Sequence, residues 1–285
     1  MYVEVNGTRL FFDVDGSAVV PDLCRMRERP TVILVHGGPG SFDHSYLKPH
    51  FAEMTGQAQV VYVDLRGHGR SARPAAIDWS FEACADDLPA FCATLGIERP
   101  VVLGHSMGGF VAMLYGARHP GHAAGLILQS TMARFDLGRL VDGFRAVAGD
   151  TVADLARRDY GGSPVSQQEW DEVFKAFGPR VPTDRELGRA IQNPELSVVG
   201  MELLRQLDVV EELGRITCPT LVCVGEFDPV TPVAASREIA DALPAGVGQL
   251  AIIDGAGHFP WLDRPENYWP LISAFVDSTA RGRPT

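Results

Sequence analysis

Val101-Val102-Leu103-Gly104-His105-Ser106-Met107-Gly108-Gly109 is the stretch on which the fold turns. An apolar, β-branched run stops at a glycine, a serine follows, and Met107 to Arg118 then has a helical pattern that ends before Pro120. Gly104 to Gly108 fits G-x-S-x-G, in the strand–turn–helix setting that gives this motif meaning. A residue on so sharp a turn takes strained backbone angles and crowds its neighbours. Gly104 and Gly108 remove the side chains that would clash, and Gly109 lets the helix approach the sheet. Ser106 Oγ is thereby expected at the C-terminal edge of the sheet, where open α/β sheets bind ligands.

The same rhythm extends in both directions. Residues 2–5 and 9–14 flank Asn6-Gly7 and predict a β-hairpin. Thr31–Val35, Val60–Val63 and Gly125–Leu128 are short apolar runs without alternation, the pattern of strands buried on both faces. Ser80 caps a predicted helix to about Gly96, with Phe81, Ala85, Leu88, Cys92 and Leu95 on one face. Pro89 inside it predicts a kink or an early break. Strands alternating with helices predict a mostly parallel sheet. From about Thr131 to Arg215 no buried strand is evident. Phe135–Val147, Val152–Tyr160, Gln167–Phe177 and Asp184–Gln192 are helix candidates there, and Gly161–Pro164 and Gly178-Pro179 punctuate them. The β/α rhythm resumes with a strand at 220–224, a helix at about 232–243, a strand at 249–253 and a helix at roughly 266–279. A frayed tail is expected over 281–285. The simplest organisation is an α/β core domain, residues 1–130 and 216–285, interrupted by a helical insertion over 131–215.

With 285 residues, 46% of them hydrophobic, the chain can bury a large core without metal or disulfide. A net charge of −11, from 25 basic and 36 acidic residues, argues against nucleic acid and against an anionic membrane surface as partners. The five cysteines form no C-x-x-C pair and suit small buried hydrophobes in a reduced compartment. No secretion signal or membrane-spanning run is evident, so the cytoplasm is the expected location. No H-x-x-x-H or Cys/His cluster has ligand spacing, so no metal is expected. Gly67-His68-Gly69-Arg70-Ser71 does not make a nucleotide fingerprint, so no cofactor is expected either.

A serine needs a base, and the base needs a carboxylate to hold it. Strand ends are where to look. Gly225-Glu226-Phe227-Asp228 follows one predicted strand, and Gly255-Ala256-Gly257-His258 follows the next. Of the eight histidines, His258 alone lies late in the chain, at a strand end, in a glycine-rich loop. His36 and His105 lie on tight turns and read as structural. His68 falls in a polar turn, His44 and His50 in a loop-to-helix stretch, and His119 and His122 near a solvated helix end. Asp228 is the chosen acid, with Asp136, Asp254 and Glu226 as competitors. The oxyanion requires two N–H donors. Met107 N–H, after the nucleophile, is one. Gly38, in His36-Gly37-Gly38-Pro39-Gly40, is the other, with Gly37 as the alternative.

These stretches, together with Asp64-Leu65-Arg66-Gly67-His68-Gly69-Arg70-Ser71, resemble the α/β-hydrolase superfamily over essentially the whole chain apart from the insertion. The H-G-G-P-G loop and His258-Phe259-Pro260-Trp261 resemble its proline iminopeptidase branch. The resemblance implies a mostly parallel eight-stranded sheet with helices on both faces and an inserted helical cap. It implies a Ser106–His258–Asp228 triad acting through an acyl-enzyme on a small-molecule or short peptide substrate. In that branch, acidic cap residues bind the substrate's free amino terminus, and Glu195 and Glu202 are candidates. The branch usually has Gly-Gly-Ser-Trp or Gly-Gly-Ser-Tyr at the nucleophile. Here the sequence is Gly-His-Ser-Met, a form commoner in esterases, lactonases and C–C bond hydrolases. Pro229 stands where some members place a second acid. A carboxylesterase, lactonase or C–C bond hydrolase is therefore the alternative, and a non-catalytic receptor of this fold the remote one.

Overall fold

A computed structural model describes residues 1–73 and 79–281. Strands β1 (Tyr2–Val5) and β2 (Thr8–Asp15) form the expected hairpin around Asn6-Gly7. A second hairpin, β3 (Val19–Asp22) with β4 (Arg25–Glu28), stands apart from the main sheet. It was not anticipated, because its exposed strands carry no apolar run to betray them. Its turn also corrects the reading of the cysteines: Cys24 is exposed, whereas Cys84, Cys92, Cys218 and Cys223 are buried.

β5 (Thr31–Val35), α1 (Lys48–Phe51), β6 (Gln59–Val63), α2 (Phe81–Leu95), β7 (Val101–His105), α3 (Met107–Arg118) and β8 (Gly125–Gln129) follow. The eight-stranded sheet has the order β1-β2-β6-β5-β7-β8, continued by β9 (Thr220–Gly225) and β10 (Gly248–Ile253). Every neighbouring pair from β6 to β10 is parallel, whereas β1–β2 and β2–β6 are antiparallel. The central strands separate two hydrophobic cores. Ile33 and Val35 of β5 enter one, Val32 and Leu34 the other, because successive side chains leave opposite faces. Both faces are covered, so these strands read as continuous apolar runs rather than alternating ones.

Pro89 neither breaks nor shortens α2. The helix runs through it to Gly96, which closes it at φ 66°, and Ser80 Oγ accepts from Ala83 N–H at the start. Burial of Phe81, Cys84, Ala85, Leu88, Phe91 and Cys92 outweighs the one lost backbone hydrogen bond. Leu95, placed on that face by periodicity, is exposed at the helix's last residue.

Between β8 and β9 lie α4 (Leu137–Tyr160), α5 (Gln167–Lys175), α6 (Asp184–Leu187) and α7 (Pro194–Arg205). α4 is broken at Gly149, φ 80° and ψ 179°, between the two expected helices. The helix expected over 184–192 is a single turn. The real helix is α7, whose signal was Asn193 as cap and Pro194 at its first position. α8 (Val233–Ala242), α9 (Pro260–Asp263) and α10 (Pro265–Arg281) complete the fold. Of the expected frayed tail, residues 282–285 lie outside the described residues.

The glycine argument gives a direct test. A Cβ at Gly108 would penetrate the Val35 carbonyl, whereas one at Gly214 would meet nothing within 4 Å. Urea titration of Gly108→Ala should show a loss of about 3 kcal/mol. Gly214→Ala should hold or raise stability. Equal behaviour of the two variants would show that backbone crowding at this turn is not what demands glycine.

Candidate active site

The candidate residues stand at strand ends on one edge of the sheet. Ser106 follows β7 with φ 54° and ψ −120°, outside the regions a non-glycine residue normally occupies. That conformation is held from several sides. Ser106 N–H donates to Gln129 O at 3.0 Å. Its own carbonyl accepts from Gly109 N–H at 2.9 Å and from Thr131 Oγ1 at 2.8 Å. Side chains at Gly104 or Gly109 would collide with Gly108 or Thr131.

Asp228 follows β9 and is buried. Its Oδ1 accepts from the N–H groups of Val230 and Thr231, both at 2.9 Å. Its Oδ2 accepts from Thr231 Oγ1 at 2.7 Å and meets His258 Nδ1 at 2.9 Å. A carboxylate oxygen only accepts, so Nδ1 carries a hydrogen, and in the neutral ring Nε2 then presents a lone pair. Such hydrogen bonding is what lets a carboxylate stay charged out of water. The competing acids are engaged elsewhere. Asp136 caps α4 through Arg139 N–H, Glu226 accepts from Gly255 N–H, and Asp254 is exposed. Thr231 was missed in sequence, although its spacing of three from Asp228 is a recognisable local turn.

His258 is fixed through its backbone. Its N–H donates to Phe177 O at 2.7 Å, in the segment after α5, and its carbonyl meets His105 Nε2 at 3.1 Å. Gly257 N–H donates to Asp263 at 2.8 Å, and Asp263 also accepts from Arg180 N–H at 2.7 Å. The helical insertion thus touches the loop that carries the histidine.

Ser106, His258, Gly38 and Met107 line one cavity of about 1210 Å³, together with Tyr160 and Met201 among others from the insertion. Gly38 faces Met107, since a Cβ there would lie 3.1 Å from Met107 Sδ. The N–H of Met107 opens α3, where free amides and the helix dipole favour negative charge. Gly37 N–H, the alternative second donor, is already committed to Tyr46 Oη at 2.9 Å.

Glu195 and Glu202 are both exposed. Glu195 lines a separate cavity of about 360 Å³ with Arg73 and Trp79, and among the described residues Glu202 lines neither. The insertion instead turns Asp159 and Arg205 toward the main cavity. Burial pushes the Asp159 carboxyl above the usual carboxylate range, and Arg205 partly offsets this.

The description "alpha/beta hydrolase fold" fits a family model that matches residues 30–265. The chain belongs to the α/β-hydrolase fold family. It is similar to a proline iminopeptidase of Pestalotiopsis fici, 27% identical across 90% of this chain and 92% of that one. Its structure is similar to an esterase from Thermogutta terrifontis, with TM-score 0.72 and 27% identity over 98% and 99% of the two chains. It shares its fold with the enol-lactonase from Burkholderia xenovorans, with TM-score 0.72 and 23% identity over 97% and 100%. The chain is a hydrolase of that fold. No helix among the described residues is long and apolar enough to cross a membrane.

Three histidines surround the site and are buried, including His68, which sequence placed in a polar turn. Gly40 N–H donates to His68 Nε2 at 3.0 Å and Leu65 N–H to His36 Nε2 at 3.2 Å, so both rings must be neutral there. Burial lowers the values of His36 and His105, and that of His68 falls to about 3. A histidine depressed in the fold stabilises it above the unfolded value near 6.5, and that contribution is lost as pH falls toward the folded value. Each such ring costs about 1.4 kcal/mol per pH unit in that window. The urea midpoint should therefore drop between pH 7 and pH 5. A midpoint that is flat or rises would show that these rings are not held neutral.

Proposed function

We propose that the protein is a serine hydrolase, proline iminopeptidase-like, that cleaves an amide or ester bond of a small substrate through an acyl-enzyme. Ser106 attacks the acyl carbon, and its proton passes to Nε2 of His258. Asp228 holds the ring in the reactive tautomer and stabilises the imidazolium as it forms. The N–H groups of Gly38 and Met107 bind the oxyanion. His258 then protonates the leaving group, activates water and releases the acid. The observation that carries this reading is the Asp228–His258 hydrogen bond, which in the neutral ring leaves Nε2 as the acceptor, on a histidine that lines the same cavity as a serine held at positive φ.

Residues 131–215 act in this proposal as a cap that limits the substrate to one end of a chain or to a small molecule. Asp159, half-buried on the cavity wall, is the acid placed to meet a substrate amine. The position of Glu195 and Glu202 away from the cavity favours the second reading, an esterase or lactonase with no amine subsite.

A matched pair of substrates separates the two: a prolyl or alanyl p-nitroanilide, and a p-nitrophenyl ester of similar size. Ser106→Ala should lower kcat by roughly five to six orders of magnitude on whichever is cleaved. Anilide cleavage that disappears when the amine is acetylated supports the aminopeptidase. Ester cleavage alone supports the second reading. Retention of wild-type turnover by Ser106→Ala would overturn both.

A further inference from the structure

His105 sits between Gly104 and the candidate nucleophile, and its ring is buried. Both ring nitrogens have partners, and their chemistry fixes every proton. Nε2 lies 3.1 Å from the carbonyl of His258. A carbonyl only accepts, so Nε2 carries the hydrogen. Burial, reinforced by the neighbouring His258, keeps the ring neutral. Nδ1 is then an acceptor, and it lies 2.7 Å from Tyr46 Oη. Tyr46 must donate there, which leaves its oxygen to accept, and Gly37 N–H donates to it at 2.9 Å. The result is a one-way chain: Gly37 N–H to Tyr46 O–H to His105 Nδ1, and His105 Nε2–H to the His258 carbonyl. No member has an alternative direction.

The chain joins two loops that come from distant parts of the sequence. Gly37 adjoins Gly38, the proposed oxyanion donor, and His258 is the proposed base. Close packing supports the hydrogen bonds. The rings of His105 and His258 lie 4.9 Å apart, and Trp261 stands edge-on to His105 at the same distance. Any side chain at Gly37 would press on Tyr46 Oη at 3.1 Å and on Ser106 Cβ at 3.4 Å. Rotation of either loop would break a hydrogen bond between buried groups, Tyr46 and His105 being almost fully covered.

We propose that Tyr46 and His105 are positioning residues, which tie the backbone of the oxyanion loop to the backbone of the general base and so set the rate of acyl transfer. Neither touches the reacting atoms. The proposal rests on the roles given above to Ser106, Gly38 and His258. It predicts a cost in kcat rather than in KM, because the chain, although Tyr46 and His105 border the cavity, orients groups that act in the transition state.

The test compares wild type with Tyr46→Phe, His105→Leu, His105→Gln, the double variant Tyr46→Phe/His105→Leu, and Ser106→Ala as control. Steady-state kinetics use a p-nitrophenyl ester. Titration with a fluorophosphonate counts competent sites. Tyr46→Phe keeps the ring and its packing, so it should fold and label fully. Its kcat should fall about tenfold to a hundredfold, with KM within about twofold of wild type. The double variant should be no slower than the slower single one, since breaking one link already severs the chain. His105→Gln can still reach the His258 carbonyl and should exceed His105→Leu by about fivefold, the worth of one hydrogen bond. The proposal fails if Tyr46→Phe turns over as wild type. It fails if the loss equals a loss of titratable sites, each working at the normal rate, or if the single losses multiply in the double variant. A Ser106→Ala protein that keeps wild-type turnover would instead remove the catalytic reading on which the proposal stands.

Discussion

Backbone crowding at the turn from β7 into α3 is the constraint on which the rest of the structure depends. The chain must reverse from strand to helix within the space of one residue. It does so only because Gly104, Gly108 and Gly109 carry no side chain where Gly108, the Val35 carbonyl and Thr131 already stand. The cost appears at Ser106, at φ 54°. Conformations of this kind cost about 1–3 kcal/mol and persist only when their surroundings over-determine them. Here the surroundings are the carbonyl of Gln129, the N–H of Gly109 and the hydroxyl of Thr131. The turn consequently belongs to β8 and its following loop as much as to its own helix.

Charge around the site is arranged by a second constraint, burial. Hydrogen bonds from two backbone amides and one hydroxyl stand around the buried Asp228 carboxyl in place of hydration. The buried histidines follow the opposite course. His36, His68 and His105 stay neutral and serve as rigid acceptors or relays for backbone groups. A site that must develop charge only during reaction gains from neighbours that cannot change theirs.

The elements most legible in the sequence were those with a local signature. The central strands were continuous apolar runs, the nucleophile turn was marked by glycines, and Ser80 announced α2. Pro89 misled because a penalty local to the helix was weighed without the tertiary burial that opposes it. The β3–β4 hairpin escaped because neither strand has a buried residue, so no hydrophobic pattern marks it. α7 was missed in favour of 184–192, although Asn193-Pro194 marks its start, because helical periodicity alone does not locate ends. The candidate triad was legible as strand-end residues in a particular order. Tyr46, Thr231 and Asp159 were not, since their relevance comes from distances that the fold creates. Glu195 and Glu202 show the same limit from the other side: an acid in the insertion has no meaning until its direction is known.

The central claim is that Ser106 becomes covalently acylated with His258 as its base. The most direct measurement quenches turnover of a p-nitrophenyl ester in acid and locates the acyl group by peptide mass spectrometry. The account predicts one acyl group per chain, on the peptide that carries Ser106, and none in His258→Ala under the same conditions. Release of p-nitrophenol without any protein-bound acyl group, or acylation at another residue, would contradict it.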